Sequence, residues 1–163
     1  MKNKIGVKMV LELTQKEIVY PITYPTIDVA LIDFDSNEVL LGKKPDHRGY
    51  VFTGGFVDPT DENLESACLR ELKEEIKGVK TTEIFSYVCS KKIDDKRYSK
   101  RDETIHTSLF ATEYLRGEAK PNKFEGIQEF EDVCWFEISR KSLKYVHKSH
   151  KEMFKLLIEW MEV

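Results

Sequence analysis

Between residues 54 and 78 the chain reads GGFVDPTDENLESACLRELKEEIKG, a glycine pair and a proline-bearing acidic turn that lead into a helix with acids on its apolar side. At about 100° per residue, Leu64, Ala67, Cys68, Leu72 and Ile76 fill one arc, spaced as a core-facing stripe should be. On the same wheel Glu71 falls between Ala67 and Cys68, and Glu75 between Cys68 and Leu72. Glu74 borders the arc, Arg70 lies beside Glu74, and Ser66, Lys73 and Lys77 take the opposite side. A solvated Glu/Lys helix would turn its acids toward Lys73 and Lys77. Here two of them point inward. Desolvating an ionised carboxylate is costly, so inward acids require cations, and a divalent metal held by oxygen ligands is the simplest.

Strands flank that helix on both sides. Residues 26–34, TIDVALIDF, are rich in β-branched side chains and read as a strand; the DSN turn and residues 39–42 complete a hairpin. Tyr50, Val51 and Phe52 form a short apolar run just ahead of the glycines. After the helix, residues 83–91 and 105–114 read as strands, residues 116–125 as a Gly- and Pro-containing loop, and residues 133–136 as a short strand. Val146, Phe154, Leu157, Ile158 and Met161 make one face of a closing amphipathic helix, a packing element. Strands before, between and after two helices predict an α/β fold, an α/β/α sandwich around a mixed sheet. Residues 1–24 read as an N-terminal strand or extension, and residues 1–163 as one domain.

Composition narrows the partners. With 26 basic and 29 acidic residues the net charge is −3, without the clustered basic excess of a nucleic-acid or membrane surface. No apolar run approaches membrane-spanning length, and the charge-broken N-terminus is no signal peptide, so a cytoplasmic location is expected. Cys68, Cys89 and Cys134, widely spaced and without a CxxC pair, read as buried reduced thiols.

Two loops carry cations suited to an anionic ligand. Residues 43–49, KKPDHRG, offer Lys43, Lys44 and Arg48 one strand away from the acidic helix; none of the four scattered histidines, His47 included, stands out as catalytic. The polar connection before residue 105 offers Arg97 and Arg101 as a guanidinium clamp, and Tyr98 as a stacking face for a nucleotide-like ligand.

The central stretch resembles the Nudix box, G-x5-E-x7-R-E-U-x-E-E-x-G-U with U aliphatic. Gly55 matches the opening glycine, Glu62 the first glutamate, Arg70-Glu71-Leu72 the REU, and Glu74-Glu75 the paired acids. Two spacings depart from the pattern: Glu62 comes one residue late after Gly55, and Gly78 stands one place beyond the expected box glycine. The resemblance implies hydrolysis of a nucleoside diphosphate linked to another moiety, with Mg²⁺, or Mn²⁺ in its place, held by Glu71, Glu74, Glu75 and Gly55. Arg70 would position a glutamate, and Glu74 or Glu75 would serve as general base, with Glu62 and Glu129 as outlying candidates. The GGFVDPTDE stretch and the polar connection downstream look like members acting on ADP-ribose and NAD-related metabolites, which implies a small nucleotide as partner. A non-hydrolytic metabolite sensor and a pyrophosphatase for damaged nucleoside triphosphates are the competing readings. A homodimer is expected from the family alone.

Overall fold

The computed structural model describes residues 22–93 and 103–162. Among the described residues seven strands form a mixed sheet: β1 (Thr23–Asp33), β2 (Glu38–Lys43), β3 (Thr53–Phe56), β4 (Ile76–Thr81), β5 (Ser86–Ile93), β6 (Thr104–Pro121) and β7 (Asp132–Glu137). The order is β4-β6-β1-β2-β7, with β3 also beside β1 and β5 beside β6. The central pair is parallel, from Thr23 opposite Thr104 to Ile32 opposite Glu113. On its other edge β1 pairs with β3 through Thr26–Val29 and with β2 through Leu31–Asp33, both antiparallel.

Ile27 to Ile32 are buried without interruption, as a strand covered on both faces must be. Alternation sorts them. Ile27 and Val29 pack with Ala67 and Cys68, and Leu31 with Leu72, all on helix α1 (Leu64–Glu75). Ala30 and Ile32 pack with Met153, Phe154 and Leu157 of α2 (Lys151–Met161). One helix on each face makes the α/β/α sandwich. Each fully buried Val, Leu, Ile, Phe or Met among them contributes roughly 1.5–3 kcal/mol, which fixes α1, and the acids it carries, against the sheet.

The ends of α1 are set locally. Asn63 caps it: its Oδ1 accepts from Ser66 N at 2.8 Å, while Ser66 Oγ accepts from Asn63 N at 3.1 Å. At the other end Asn122 donates to Lys73 O at 2.8 Å and, through its backbone, to Glu75 O at 2.7 Å. The helix therefore stops at Glu75, and Ile76 opens β4 rather than closing the stripe. Gly78, one place late for the box, lies in β4 with φ +83°, at a break in register between Lys77 and Val79. A Cβ there would come within 2.2 Å of Glu118 O. The late glycine serves a bulge in the sheet, not the end of the helix.

Other boundaries differ from the sequence reading. Residues 116–121 continue β6 rather than forming a loop, because β4 supplies them with an antiparallel partner. The glycine pair lies inside β3. The strand expected at residues 83–91 begins at Ser86, after a turn in which Glu83 adopts φ +54°. Val146 packs in the α2 cluster but precedes the helix, bridged to Tyr50. Cys68 is buried, but Cys89 is half-buried and Cys134 exposed, because β7 is an edge strand with one open face. Residues 5–20, Arg97, Tyr98 and Arg101 lie outside the described residues. Among the described residues, no helix is long and apolar enough to cross a membrane.

Candidate active site

Helix α1 faces β3 across the glycine pair. Glu75 is 3% exposed; its Oε2 accepts from Gly54 N at 2.9 Å, while its Oε1 is buried with no hydrogen-bond partner. Glu71 is also buried, and its Oε1 stands 2.7 Å from where a Cβ on Gly55 would be. Only glycine leaves room there for the carboxylate. Gly54 is equally constrained, with φ +153° and Ile27 O 2.1 Å from a would-be Cβ. The pair thus lets a strand approach a helix closely enough to donate a backbone N–H to a buried acid.

Two cations hold the acids. Arg70 donates from Nε and Nη2 to the two oxygens of Asp61, at 3.0 and 2.9 Å, and from Nη2 to Phe56 O at 3.0 Å. Its Nη1 donates to Glu71 Oε1 at 2.8 Å and lies 3.4 Å from Glu74 Oε1. Lys44 donates to Glu129 Oε2 at 2.6 Å, lies 3.7 Å from Glu75 Oε1, and sits 5.5 Å from the Phe130 ring centroid.

These contacts set the proton affinities. Burial pushes Glu75 well up, against the pull of Lys44 and the Gly54 N–H, and it pushes Glu71 up against Arg70. Burial also acts on Glu129, but its hydrogen bond from Lys44 and the lysine's charge hold it below the usual carboxylate range. The Arg70 hydrogen bond pulls Asp61 down.

The structure gathers most of the candidates. Glu71, Glu74, Glu129, Arg70 and Gly55 line one cavity of about 1010 Å³, together with Lys44. Arg48 and Glu62 are exposed and lie outside that lining. At the spacing the box assigns to its first acid after Gly55 stands Asp61, and Asp61 is the residue clamped to Arg70. The extra residue therefore falls after that acid rather than before it, and it displaces Glu62 to solvent. Sequence reasoning also missed Asp28 and His150, both of which line the cavity. The signal for Asp28 was present: it is the one charged residue in an otherwise apolar buried run.

Among the described residues no three acid, histidine or cysteine side chains stand already converged as a metal centre, since Arg70 and Lys44 occupy the carboxylates. The donor set nonetheless fits a divalent cation. Glu75 Oε1 is buried and makes no hydrogen bond, with the Lys44 ammonium 3.7 Å away, Glu71 has the Gly55 cradle, and hard oxygen donors suit Mg²⁺ or Mn²⁺.

Comparison with known proteins agrees with this architecture. The NUDIX domain matches residues 24–157. Among solved structures, a bifunctional NMN adenylyltransferase/ADP ribose pyrophosphatase from Francisella tularensis, complexed with AMP and a manganese ion, is 20% identical with a TM-score of 0.59. The match covers 95% of this chain and 47% of that one, so the chain spans about half the length of that relative. A pyrophosphohydrolase from Bacillus subtilis is 21% identical, TM-score 0.61, with 84% of this chain and 80% of that one covered. MutT, in a study of the Aliivibrio salmonicida and Vibrio cholerae proteins, is 20% identical, TM-score 0.55, covering 83% and 96%. Among curated proteins none matches. With the family's domain matched over most of the chain and the box acids set on a helix against the glycine pair, the chain belongs to the Nudix family.

Proposed function

We propose that the protein hydrolyses a nucleoside diphosphate linked to a second moiety, with ADP-ribose or an ADP-sugar as substrate and AMP and a sugar phosphate as products. The observation that carries this reading is the set of acids on α1: Glu71 and Glu74 line a cavity large enough for a dinucleotide-sized ligand, and Glu75 is buried beside that lining on the Gly54 N–H. A diphosphate brought to those carboxylates would be repelled without a bridging cation. Glu71, Glu74 and Glu75 would hold Mg²⁺ or Mn²⁺, with the backbone of Gly55 beside them. When bound, the ion neutralises phosphate charge and lowers the pKa of a water.

The chain's own groups have separable tasks. Arg70 fixes Glu71 and ties α1 to the Asp61 turn, so it positions rather than reacts. Glu74, half-buried, and Glu75, whose Oε1 makes no hydrogen bond, are the oxygens to which we assign proton abstraction from water. Glu129 is engaged by Lys44, and we assign it to orienting that ammonium toward substrate phosphate. The similar Francisella tularensis structure is itself complexed with AMP and manganese, which favours an adenine nucleotide.

The test is turnover of a panel of ADP-ribose, ADP-sugars, other nucleoside diphosphate conjugates and nucleoside triphosphates, with Mg²⁺ or Mn²⁺ and product identification. AMP plus a sugar phosphate is the expected outcome. Pyrophosphate from triphosphates would move the substrate class. Tight binding of ADP-ribose without product would make the protein a sensor.

A further inference from the structure

At another part of the same cavity a second polar group lies outside the box. Asp28, 6% exposed, is set on β1 opposite Gly54 of β3. Its Oδ2 accepts the hydroxyl of the fully buried Thr107 at 2.5 Å. Its Oδ1 receives no hydrogen bond from any described residue; His150 Nδ1 lies 3.7 Å away, beyond hydrogen-bonding distance, and is itself buried without a partner. His150 stands at the start of α2, tilted against the Phe52 ring at 5.8 Å, and both line the cavity. So do the stacked rings of His47 and His147, 4.7 Å apart and 15° from parallel, and the side chains of Ile93 and Ile105. Aromatic, imidazole and aliphatic side chains grouped around one buried carboxylate suit an aromatic heterocycle.

From this placement we infer that Asp28, oriented by Thr107, is a specificity-determining acceptor for the exocyclic amino group of a nucleobase, so that amino-bearing bases are taken and their oxo counterparts refused. The inference rests on the nucleotide reading above and sharpens it. Thr107 has one hydroxyl proton and donates it to Oδ2, which leaves Oδ1 as the group a ligand meets. An N–H donor completes it. A carbonyl oxygen at the same place meets a second acceptor, and a site built for one hydrogen-bond polarity discriminates strongly against the other. Adenine and cytosine present the amino group; hypoxanthine and uracil present oxygen in its place.

The experiment measures binding rather than turnover. Adenosine against inosine, and cytidine against uridine, are titrated by calorimetry into the protein at about pH 8.5, where Asp28 is ionised and can only accept, and in chelator, so that any metal is silent. At least one amino-bearing nucleoside should bind about tenfold or more tightly than its oxo partner, the equivalent of one hydrogen bond. In Asp28→Asn the amide oxygen takes the Thr107 hydroxyl and the NH₂ turns to the cavity, so the preference should collapse or reverse. Thr107→Val, which keeps the carboxylate but frees it to rotate, should narrow the ratio without reversing it. Equal affinities in both pairs, an unchanged ratio in Asp28→Asn, or no nucleoside binding would overturn the inference. Hydrolysis in the substrate panel without base discrimination would sink this inference alone. Discrimination without hydrolysis would sink the enzymatic reading alone.

Discussion

Glu75 and Asp28 are both buried carboxylates, and Gly54 meets both: its N–H donates to Glu75, and its backbone lies opposite Asp28. Their surroundings differ in kind. Glu75 shares its space with Glu71 and Glu129, which raise its proton affinity further, and has Lys44 opposing them. Among the described residues no acid raises the proton affinity of Asp28; it has the Thr107 hydroxyl, the more distant charge of Lys44, and an imidazole that burial keeps neutral by lowering its pKa to about 3. An excess of acids calls for a cation. A solitary acid calls for a proton or a hydrogen-bond donor. One cavity thus carries a part suited to metal and phosphate and another suited to a neutral heterocycle.

The strongest way to break that contrast is at Glu75. Glu75→Gln keeps an oxygen for the Gly54 N–H, so the fold should survive, while the charge that would hold a cation or take a proton is gone. The expected loss in kcat/KM on the substrate found in the panel is about 10²–10⁴-fold. A variant within about threefold of the parent would remove Glu75 from the chemistry.

Asp28 is tested by stability against pH. Burial raises its pKa from 3.8 to about 7, so from about pH 4 to 7 the folded chain keeps a proton that the unfolded chain has released. Stability from this group is therefore full below the unfolded value and lost as pH rises toward 7. Asp28→Asn cannot suffer that loss. Its stability relative to the parent should rise by roughly 4 kcal/mol across the window. His150 adds an opposite slope, but it is present in both proteins and cancels in the difference. Denaturant melts from pH 4 to 8 measure it, and parallel curves would show that Asp28 is not held neutral.

Arg70 differs from both acids in being over-satisfied, with Asp61, Phe56, Glu71 and Glu74 all within reach. Arg70→Met should lower stability by about 1–3 kcal/mol, or roughly 2–4 °C in Tm per kcal/mol for a chain of this size. Arg70→Lys should recover little, since an ammonium cannot span two oxygens of Asp61 and a carbonyl at once. Full recovery by lysine would reduce the network to a simple charge effect.

How much of this was legible in the chain follows from the range of the interactions. The acids on the α1 stripe could be read because helical periodicity is local, and Glu71 and Glu75 are buried where the wheel puts them. The family pattern led to Glu62, yet Asp61 meets Arg70, because where an extra residue is absorbed in a turn depends on the hydrogen bonds of that turn. Here Asp58 N donates to Asp61 Oδ2 at 2.8 Å and Thr60 N to Asp58 Oδ1 at 2.8 Å. β4 was hidden because KGVKT is polar and pairs with residues 33 to 45 positions away. Asp28, Thr107 and His150 are 79 and 43 positions apart along the chain, and no local period could bring them together.

The smallest expected effect is the most discriminating for the glutamate cluster. Lys44 reaches Glu129 through one short hydrogen bond and Glu75 only at 3.7 Å, where Arg70 is held by four residues. Unlike Arg70, it can leave. If its ammonium stands where positive charge is wanted until a divalent cation arrives, then Lys44→Met removes a competitor, and Mn²⁺ should bind the substrate-free protein several-fold more tightly. A partly exposed ion pair contributes on the order of 1 kcal/mol or less, which caps the gain at about fivefold. Substrate KM should move the other way, because the same ammonium is then missing from the phosphate. Calorimetric Mn²⁺ titration and steady-state kinetics on one preparation give both numbers. Weaker Mn²⁺ binding in the variant would make Lys44 a structural partner of the acids rather than their displaceable counter-ion.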